Sequence, residues 1–360
     1  MTKVKEERLW DERFIEIMGK LAPGTPLREG LESIQRGKMG ALVLINDNKG
    51  AMELVDGGFV INAEFTPAGI YELAKMDGAI VLSEDGKKIL VANAQLVPEY
   101  TITTSETGTR HRTAQRVARQ TGALVIAISH RRNIITVYLG NRRYILSEIS
   151  TLLNRAHQAL QTLEKYRIVL NKGLSTLIAL EFEDLVTLGD VISLLIRAEH
   201  VSRIVQEVKR YIVELGTEGR LVSMQLEELE VEKDIVEVLL KDYALLEENQ
   251  TACLLRKQIA ELPEDHLEAT VLGRLLGYSV TANALDLPMV PRGYRILAHI
   301  PRLPQLVIQN LVQHFNTLPR IAGATIQDLD DVDGIGESRA KMIKDGLKRV
   351  REQALWERNS

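Results

Sequence analysis

The sequence predicts a layered α/β domain at the N-terminus, an all-α spine behind it and a small all-α domain at the C-terminus. Three observations predict this. Short β-rich runs interleave with helical patterns over residues 1–147. From Ser147 to Glu183 the apolar positions recur at threes and fours with no proline. Pro288, Pro291, Pro301 and Pro304 then cluster ahead of further helical segments, a pattern that reads as a linker. The 360 residues suit two or three domains of about 100–200 residues each. We place them at 1–147, 148–287 and 288–360.

The first domain takes its β-runs from Met39–Asn46, Gly78–Ser83, Lys88–Ala92, Ala123–Ser129 and Asn133–Leu139, each bounded by turn residues. Thr66 followed by Pro67 is an N-cap with proline at the first helical position, opening a helix over Ala68–Lys75. Arg112–Gln120 reads as a short basic helix stopped near Gly122. In the spine, Ile149, Leu152, Leu153, Ala156, Leu160 and Leu163 begin the periodic series, and Gly173 alone breaks it. Some 35 residues of helix would make a rod of roughly 50 Å. Leu188–Leu215, Arg220–Ala244 and Gln250–Leu262 continue the helical pattern with an acidic solvent face. Leu306–Phe315 and Arg339–Val350 are helical in the tail, and no repeat of fixed period is apparent.

Composition limits the function classes. With 45% hydrophobic and 26% charged residues the chain can build packed cores. Its longest apolar runs, such as Ala41–Ile45 and Ala123–Ile128, fall far short of the ~18 residues of a membrane span. The charged start, Met1–Trp10, lacks the apolar stretch of a signal peptide. The single cysteine, Cys253, excludes an internal disulfide framework and a cysteine-based zinc site. A soluble protein of the reducing cytoplasm is expected. The net charge of −4 conceals segregation: residues 101–143 carry eight arginines against one acid, Glu106, whereas residues 214–268 carry fifteen acids against five bases. An anionic ligand is expected for the first block.

Ser105–Thr113 packs hydroxyls, a glycine, Arg110, His111 and Arg112 into nine residues ahead of a helix. Unpaired N–H donors at a helix start attract phosphate, and arginine forks suit phosphate oxygens. Met76-Asp77-Gly78-Ala79 sets an acid and a glycine at a strand entrance. Such a pair can hold a divalent metal and admit a nucleotide to the backbone, although Asp-Gly is above all a turn dipeptide. Ser129–Asn133 is a tight hairpin with cationic sides, read alone as a solvated turn. None of the Gly-Lys pairs at Gly19, Gly37 and Gly86 precedes Ser or Thr, so there is no P-loop, and no Rossmann fingerprint or G-x-S-x-G is present.

Asp77-Gly78-Ala79 together with Arg110-His111-Arg112 resembles the DGA and RHR motif pair of the diadenylate cyclases, enzymes that condense two ATP into cyclic di-AMP. The flanks Tyr71–Ala74 and Val55–Phe59 also look like this family, and the helical middle and tail resemble its DNA-integrity scanning branch. The resemblance implies a mixed sheet flanked by helices in an N-terminal cyclase domain. It implies Asp77 as the catalytic carboxylate and ligand of Mg²⁺ or Mn²⁺, and Thr109, Arg110, His111, Arg112 and Thr113 as holders of the triphosphate. By motif position, Gly78 and Leu96 would contact the nucleoside, and Ser129 and Arg131 would lie beside the phosphates. His130 departs from the Arg or Glu expected there and is left out of the site.

In the tail, Leu329, Val332, Gly334, Ile335, Gly336, Ala340 and Ile343 have the spacing of a helix-hairpin-helix. The glycines admit the hairpin backbone to a DNA phosphate, and the next helix start supplies N–H donors. Gly334, Ile335, Gly336, Arg339, Lys341 and Lys344 are the candidate DNA contacts. A degenerate first hairpin is expected around Arg302-Leu303-Pro304, where the glycines are absent.

The expected function is therefore ATP condensation to cyclic di-AMP coupled to sensing of branched or damaged DNA, in the cytoplasm at the nucleoid, with no membrane partner. A two-fold symmetric product needs two facing half-sites, hence a homo-oligomer with a face-to-face contact. The family implies an octamer. The rivals are a non-enzymatic DNA-structure sensor with a nucleotide-binding domain, and an ATP-dependent kinase or ligase.

Overall fold

A computed structural model describes residues 10–358 apart from 47, 230–233, 247–250 and 280–283. The charged segment at residues 1–9, the start of the Gln250–Leu262 stretch and the middle of Arg220–Ala244 lie outside the described residues. The chain divides into two compact units, Met1–His157 with Lys209–Met224, and Gln158–Val208 with Gln225–Ser360.

The first unit is a mixed sheet between two helical layers. In chain order it contains α1 (Glu12–Lys20), α2 (Pro26–Arg36), β1 (Ala41–Ile45), α3 (Lys49–Met52), β2 (Val55–Asp56), β3 (Phe59–Glu64), α4 (Pro67–Leu73), β4 (Ala79–Leu82), β5 (Lys88–Leu96), α5 (Thr109–Thr121), β6 (Leu124–Ser129), β7 (Ile134–Leu139) and β8 (Arg142–Ile145). The strand order is β2-β5-β4-β1-β6-β7-β8, with β3 also on β5. β1 and β4 are parallel, and the other pairs are antiparallel.

Alternation explains the layers. Val43, Ile45, Ile80, Leu82, Ile126 and Ile128 face one core with α1, α2 and α4. Leu42, Leu44, Ala79, Val81, Val125 and Ala127 face the other, closed by Ala114, Val117 and Ala118 of α5. The central strands are covered on both sides and so read as unbroken apolar runs. β2, β3 and β8 are absent from the sequence reading. Every residue of β3 is exposed, and positive φ at Asn62 and Asn93, beside register shifts in β3 and β5, breaks the period-2 pattern there.

From residue 158 the chain enters the second unit along α6 (Ile149–Phe182), which runs 34 residues and continues through Gly173. A Cβ at Gly173 would meet Leu194 of α7 (Leu188–Leu215) at 2.7 Å, so this glycine admits a neighbouring helix rather than interrupting its own. After α8 (Arg220–Leu229), α9 (Ile235–Tyr243), α10 (Ala252–Glu261) and α11 (Ala269–Leu275), the proline-rich segment packs as part of the unit. Thr187 pairs with Pro288, Met289 N donates to Val186 O at 2.8 Å, and Leu318 N donates to Pro291 O at 2.9 Å.

The tail comprises α12 (Tyr294–Ala298), α13 (Gln305–Phe315), α14 (Leu318–Gly323), α15 (Ile326–Asp330) and α16 (Glu337–Arg358). It contains the degenerate first hairpin expected around Arg302-Leu303-Pro304. The turn from α12 to α13 matches the turn from α15 to α16 residue for residue. Arg302 has φ +62° where Gly334 has +82°, Ile300 N and Val332 N donate to the equivalent Leu297 O and Leu329 O, and Ile300 and Val332 are both buried. Arg302, in a conformation that favours glycine, is what makes the first copy degenerate.

The spine's acids are not only a solvent face. Glu181 is buried and pairs with buried Arg295, while Tyr243 donates its hydroxyl to the same carboxylate. Beside them Asp242 accepts the backbone N–H groups of Gly293, Tyr294 and Arg295 at 2.9, 2.7 and 3.0 Å, capping α12. Burial pushes the Asp242 carboxyl up to about 6. Removing one partner of such a pair strands the other charge. Glu181→Ala should destabilise the second unit by about 3–5 kcal/mol, whereas Glu181→Leu with Arg295→Met should be near neutral or stabilising. Urea denaturation of both variants checks this; similar losses in the two would show that the charges themselves hold the helices together.

Candidate active site

The register of three strands gathers the motif residues. β4 runs parallel to β1 with Leu42 opposite Ala79, and β6 runs antiparallel with Ala41 opposite Ile128. Gly78, Gly40 and Ser129 therefore lie side by side at one edge. Ala79 pairs with Ala94 on β5, which brings Leu96 to the same edge, buried in the core beneath α5. Gly78 has φ +102°, and a Cβ there would meet Ala94 O at 2.9 Å. Only glycine suits this turn.

Asp77 precedes Gly78 with its side chain 99% exposed. Arg110 reaches it from α5, Nη2 to Oδ1 at 3.2 Å, and its guanidinium lies against Gly40, where a Cβ would stand 2.9 Å from Nη1. The two motifs, 33 residues apart, thus meet. Thr109–Thr113 form the first turns of α5 rather than a segment ahead of it. Asp11, Thr25, Asn48 and Thr66 cap α1 to α4 with their side chains, but Gly108 gives α5 no side-chain cap. Its first N–H groups are therefore left without a side-chain acceptor, as suits an anion. Arg112 is exposed, roughly 200° round the helix from Arg110. Ser129 Oγ accepts from Arg132 N at 3.2 Å, and Arg131 is exposed in the same turn.

Half of the arginine block is committed elsewhere. Arg116 Nε donates to Ile102 O at 2.9 Å and Arg119 donates to Thr103 O, pinning the loop before α5. Gln115 completes that anchor, accepting from Thr104 Oγ1 at 2.5 Å and Ser105 N at 3.1 Å. Arg142 pairs with Asp11 at 2.5 Å and holds its carboxyl down to about 2; Arg143 pairs with Glu106 at 2.5 Å. The positive field is thus set by fewer cations than the sequence count suggested.

Sequence reasoning missed Gly40, Gln115 and Tyr138. Tyr138 is fully buried on β7, and its Oη lies 2.9 Å from His111 Nδ1. Burial lowers the His111 pKa, opposed by Glu106 and reinforced by Arg132 and Arg143. A cleft of about 700 Å³, lined by Ile45, Asn46, Glu84, Lys88 and Leu124, lies at the opposite strand ends and takes none of the motif residues.

Among the described residues no group of three or more His, Cys, Asp or Glu is placed to hold a metal. Magnesium-type ions are commonly held by one or two carboxylates plus substrate phosphates. A lone exposed carboxylate beside a phosphate-attracting helix start fits an ion that arrives with a nucleotide.

Asp77→Asn should shift stability by less than about 0.5 kcal/mol because the side chain is in solvent. Gly78→Ala should cost about 1–3 kcal/mol through its φ and the approach of β5. Thermal unfolding of the pair checks the geometry; equal melting points would contradict it.

Comparison with known proteins shows the family. Residues 28–143 match the family model described as DisA bacterial checkpoint controller nucleotide-binding, and residues 146–285 match the DisA bacterial checkpoint controller linker region. The DNA integrity scanning protein DisA of Carboxydothermus hydrogenoformans is 58% identical, covering 96% of this chain and 99% of its own. Those of Acetivibrio thermocellus and Clostridioides difficile are 52% and 50% identical, over 96% and 98% of this chain and 97% and 99% of theirs. With its two motifs joined at one sheet edge and its relatives matching end to end, the chain belongs to the DisA family of diadenylate cyclases.

Proposed function

We propose that the protein condenses two ATP into cyclic di-AMP and that its C-terminal helices make this respond to DNA structure. The observation that carries the reading is the Asp77–Arg110 contact at the uncapped start of α5. In each of two steps a ribose 3′-oxygen bonds to the α-phosphorus of the other nucleotide. The bond to the β-phosphate breaks, pyrophosphate leaves, and the hydroxyl proton passes to solvent. Thr109, Arg110, His111, Arg112 and Thr113 hold the triphosphate in line. Gly78 and Leu96 bound the nucleoside, and Ser129 and Arg131 flank the phosphates. Asp77 holds Mg²⁺ or Mn²⁺, which when bound neutralises phosphoryl charge and makes the 3′-hydroxyl more acidic.

One chain supplies one half-site, so we propose a two-fold pair of facing chains within a larger homo-oligomer, an octamer. Exposed Phe59, Val60, Met76, Val97 and Tyr100, on β3 and on the turns flanking β4 and β5, support a surface meant to be covered. The domains we assign are a cyclase at 1–147, a spine at 148–287 and a DNA-binding tail at 288–360.

In the tail, Gly334, Ile335 and Gly336 present backbone to a phosphate, with Arg339, Lys341 and Lys344 adding charge. Lys344 donates to Ala322 O at 2.9 Å and Arg339 to Gly334 O, so these two also brace the hairpin. Lys341 pairs with Glu337 in an exposed, exchangeable contact. Binding of this kind is salt-sensitive and largely blind to sequence. Among the described residues no helix is long and apolar enough to cross a membrane; we assign the protein to the cytoplasm, at the nucleoid.

Purified full-length protein with ATP and Mn²⁺ should yield cyclic di-AMP, and Asp77→Asn should yield less than about a tenth as much through loss of the metal-holding charge. Product at wild-type rate from the variant would remove Asp77 from the reaction. Branched DNA should lower the rate while leaving ATP affinity nearly unchanged. Gly336→Leu should relieve that inhibition. It has ordinary φ and no clash at Cβ, unlike Gly334 at +82°, so it blocks phosphate approach without straining the turn. Equal inhibition of both proteins would show that the signal enters elsewhere.

A further inference from the structure

His111 is not simply one more cation at a helix start. It is half-buried, with Nδ1 2.9 Å from Tyr138 Oη and the two rings edge to face. Burial and the neighbouring Glu106 carboxylate push the Tyr138 phenol up, opposed by Arg143; Glu106 is 10% exposed and sits 2.5 Å from Arg143 Nε. Four residues from the loop before α5, from α5, from β7 and from β8 thus form one chain: Arg143, Glu106, Tyr138, His111.

The chain has a direction. Glu106, paired with the Arg143 guanidinium, offers its carboxylate oxygens as hydrogen-bond acceptors. The phenol has one proton to give, and the carboxylate is the stronger acceptor. Tyr138 Oη is then left as an acceptor, so the imidazole must donate from Nδ1. A neutral His111 so fixed carries a lone pair, not a proton, on Nε2. The ring edge next to Nε2 lies by Gly108, with Cδ2 3.6 Å from where a Cβ would stand there, at the start of α5. A phosphate oxygen arriving at that point meets a lone pair.

We infer that Tyr138 and Glu106 are positioning residues that lock His111 in its Nδ1–H form, so that it grips the triphosphate only by taking up a proton at Nε2. This rests on the reading of α5 as the triphosphate site. The proton comes from solvent, and Nε2–H then donates to a phosphate oxygen as a charge-assisted bond. The groups facing His111 are Tyr138 from β7, Glu106 from the preceding loop, Arg143 from β8 and Arg132 from the β6–β7 turn. Burial, opposed by Glu106 and reinforced by the two arginines, disfavours the charged ring until a polyanion arrives.

Tyr138→Phe keeps the buried ring and removes the hydroxyl. The imidazole is then free to adopt its Nε2–H form and to donate without gaining a proton. Calorimetric titration of the full chain with Mg²⁺ and 3′-deoxy-ATP, which lacks the attacking hydroxyl, in two buffers of different ionisation enthalpy reads the protons taken up. At pH 7.5 the wild type should take up more than about half a proton per site, approaching one, and Tyr138→Phe less than about a fifth. Glu106→Gln, whose amide can donate to Tyr138 and turn the hydroxyl toward His111, should reduce uptake likewise and stands in if the first variant misfolds. Uptake equal to wild type in either folded variant, or none in the wild type, would overturn the proposal. Tight binding with no uptake would do so while leaving the nucleotide site in place; no binding by the wild type would sink that site and the proposal together.

Discussion

Parallel pairing of β1 with β4, with β6 antiparallel on the other flank of β1, sets the position of every motif residue in the first unit. The pairing puts the entrance of β4, the entrance of β1 and the exit of β6 at one edge, where Gly78, Gly40 and Ser129 stand in a row. A one-residue slip would turn Val43 and Ile126 out of one core and into the other, so burial on both faces holds the register. Gly40 leaves room for the Arg110 guanidinium where it meets Asp77. The proposed chemistry is thus anchored in strands that contain almost none of its polar residues.

The same unit shows why counting charge along a sequence overstates a binding field. Arg116 and Arg119 hold the loop before α5, and Arg142 and Arg143 answer Asp11 and Glu106. Those four give shape to the site; Arg110, Arg112, Arg131 and Arg132 are left to set its potential. In the second unit a related division holds. Glu181 and Asp242 are part of a buried polar joint that ties α6 and α9 to the start of α12, although along the chain they look like a solvated acidic surface.

Much of this was legible in the sequence, for physical reasons. Asp77-Gly78 and Arg110-His111-Arg112 announce themselves because a left-handed turn and a phosphate-attracting helix start need particular residue types in a few consecutive positions. The doubly covered strands were legible as apolar runs, and α6 as a long periodic series. Gly40 was not, since its role exists only once β1 lies beside β6. Tyr138 reads as another core position in an alternating strand, and nothing in its neighbourhood reveals the hydroxyl's partners. β3 was missed because a bulged, exposed strand loses its pattern. The first hairpin of the tail was blurred because Arg302 occupies a backbone conformation usually given to glycine.

The central claim is that each chain carries half of a reaction centre and that two facing halves, each with its own Asp77, complete the cyclic product. Co-expression of wild-type and Asp77→Asn chains in known proportions tests it directly, with cyclic di-AMP and the linear singly joined dinucleotide measured against the wild-type fraction. If pairs form at random, cyclic product should fall as the square of that fraction, to about a quarter at equal proportions, with the linear dinucleotide accumulating. Cyclic product falling in simple proportion, to about one half with no linear species, would mean that each chain completes the reaction alone and would contradict the account.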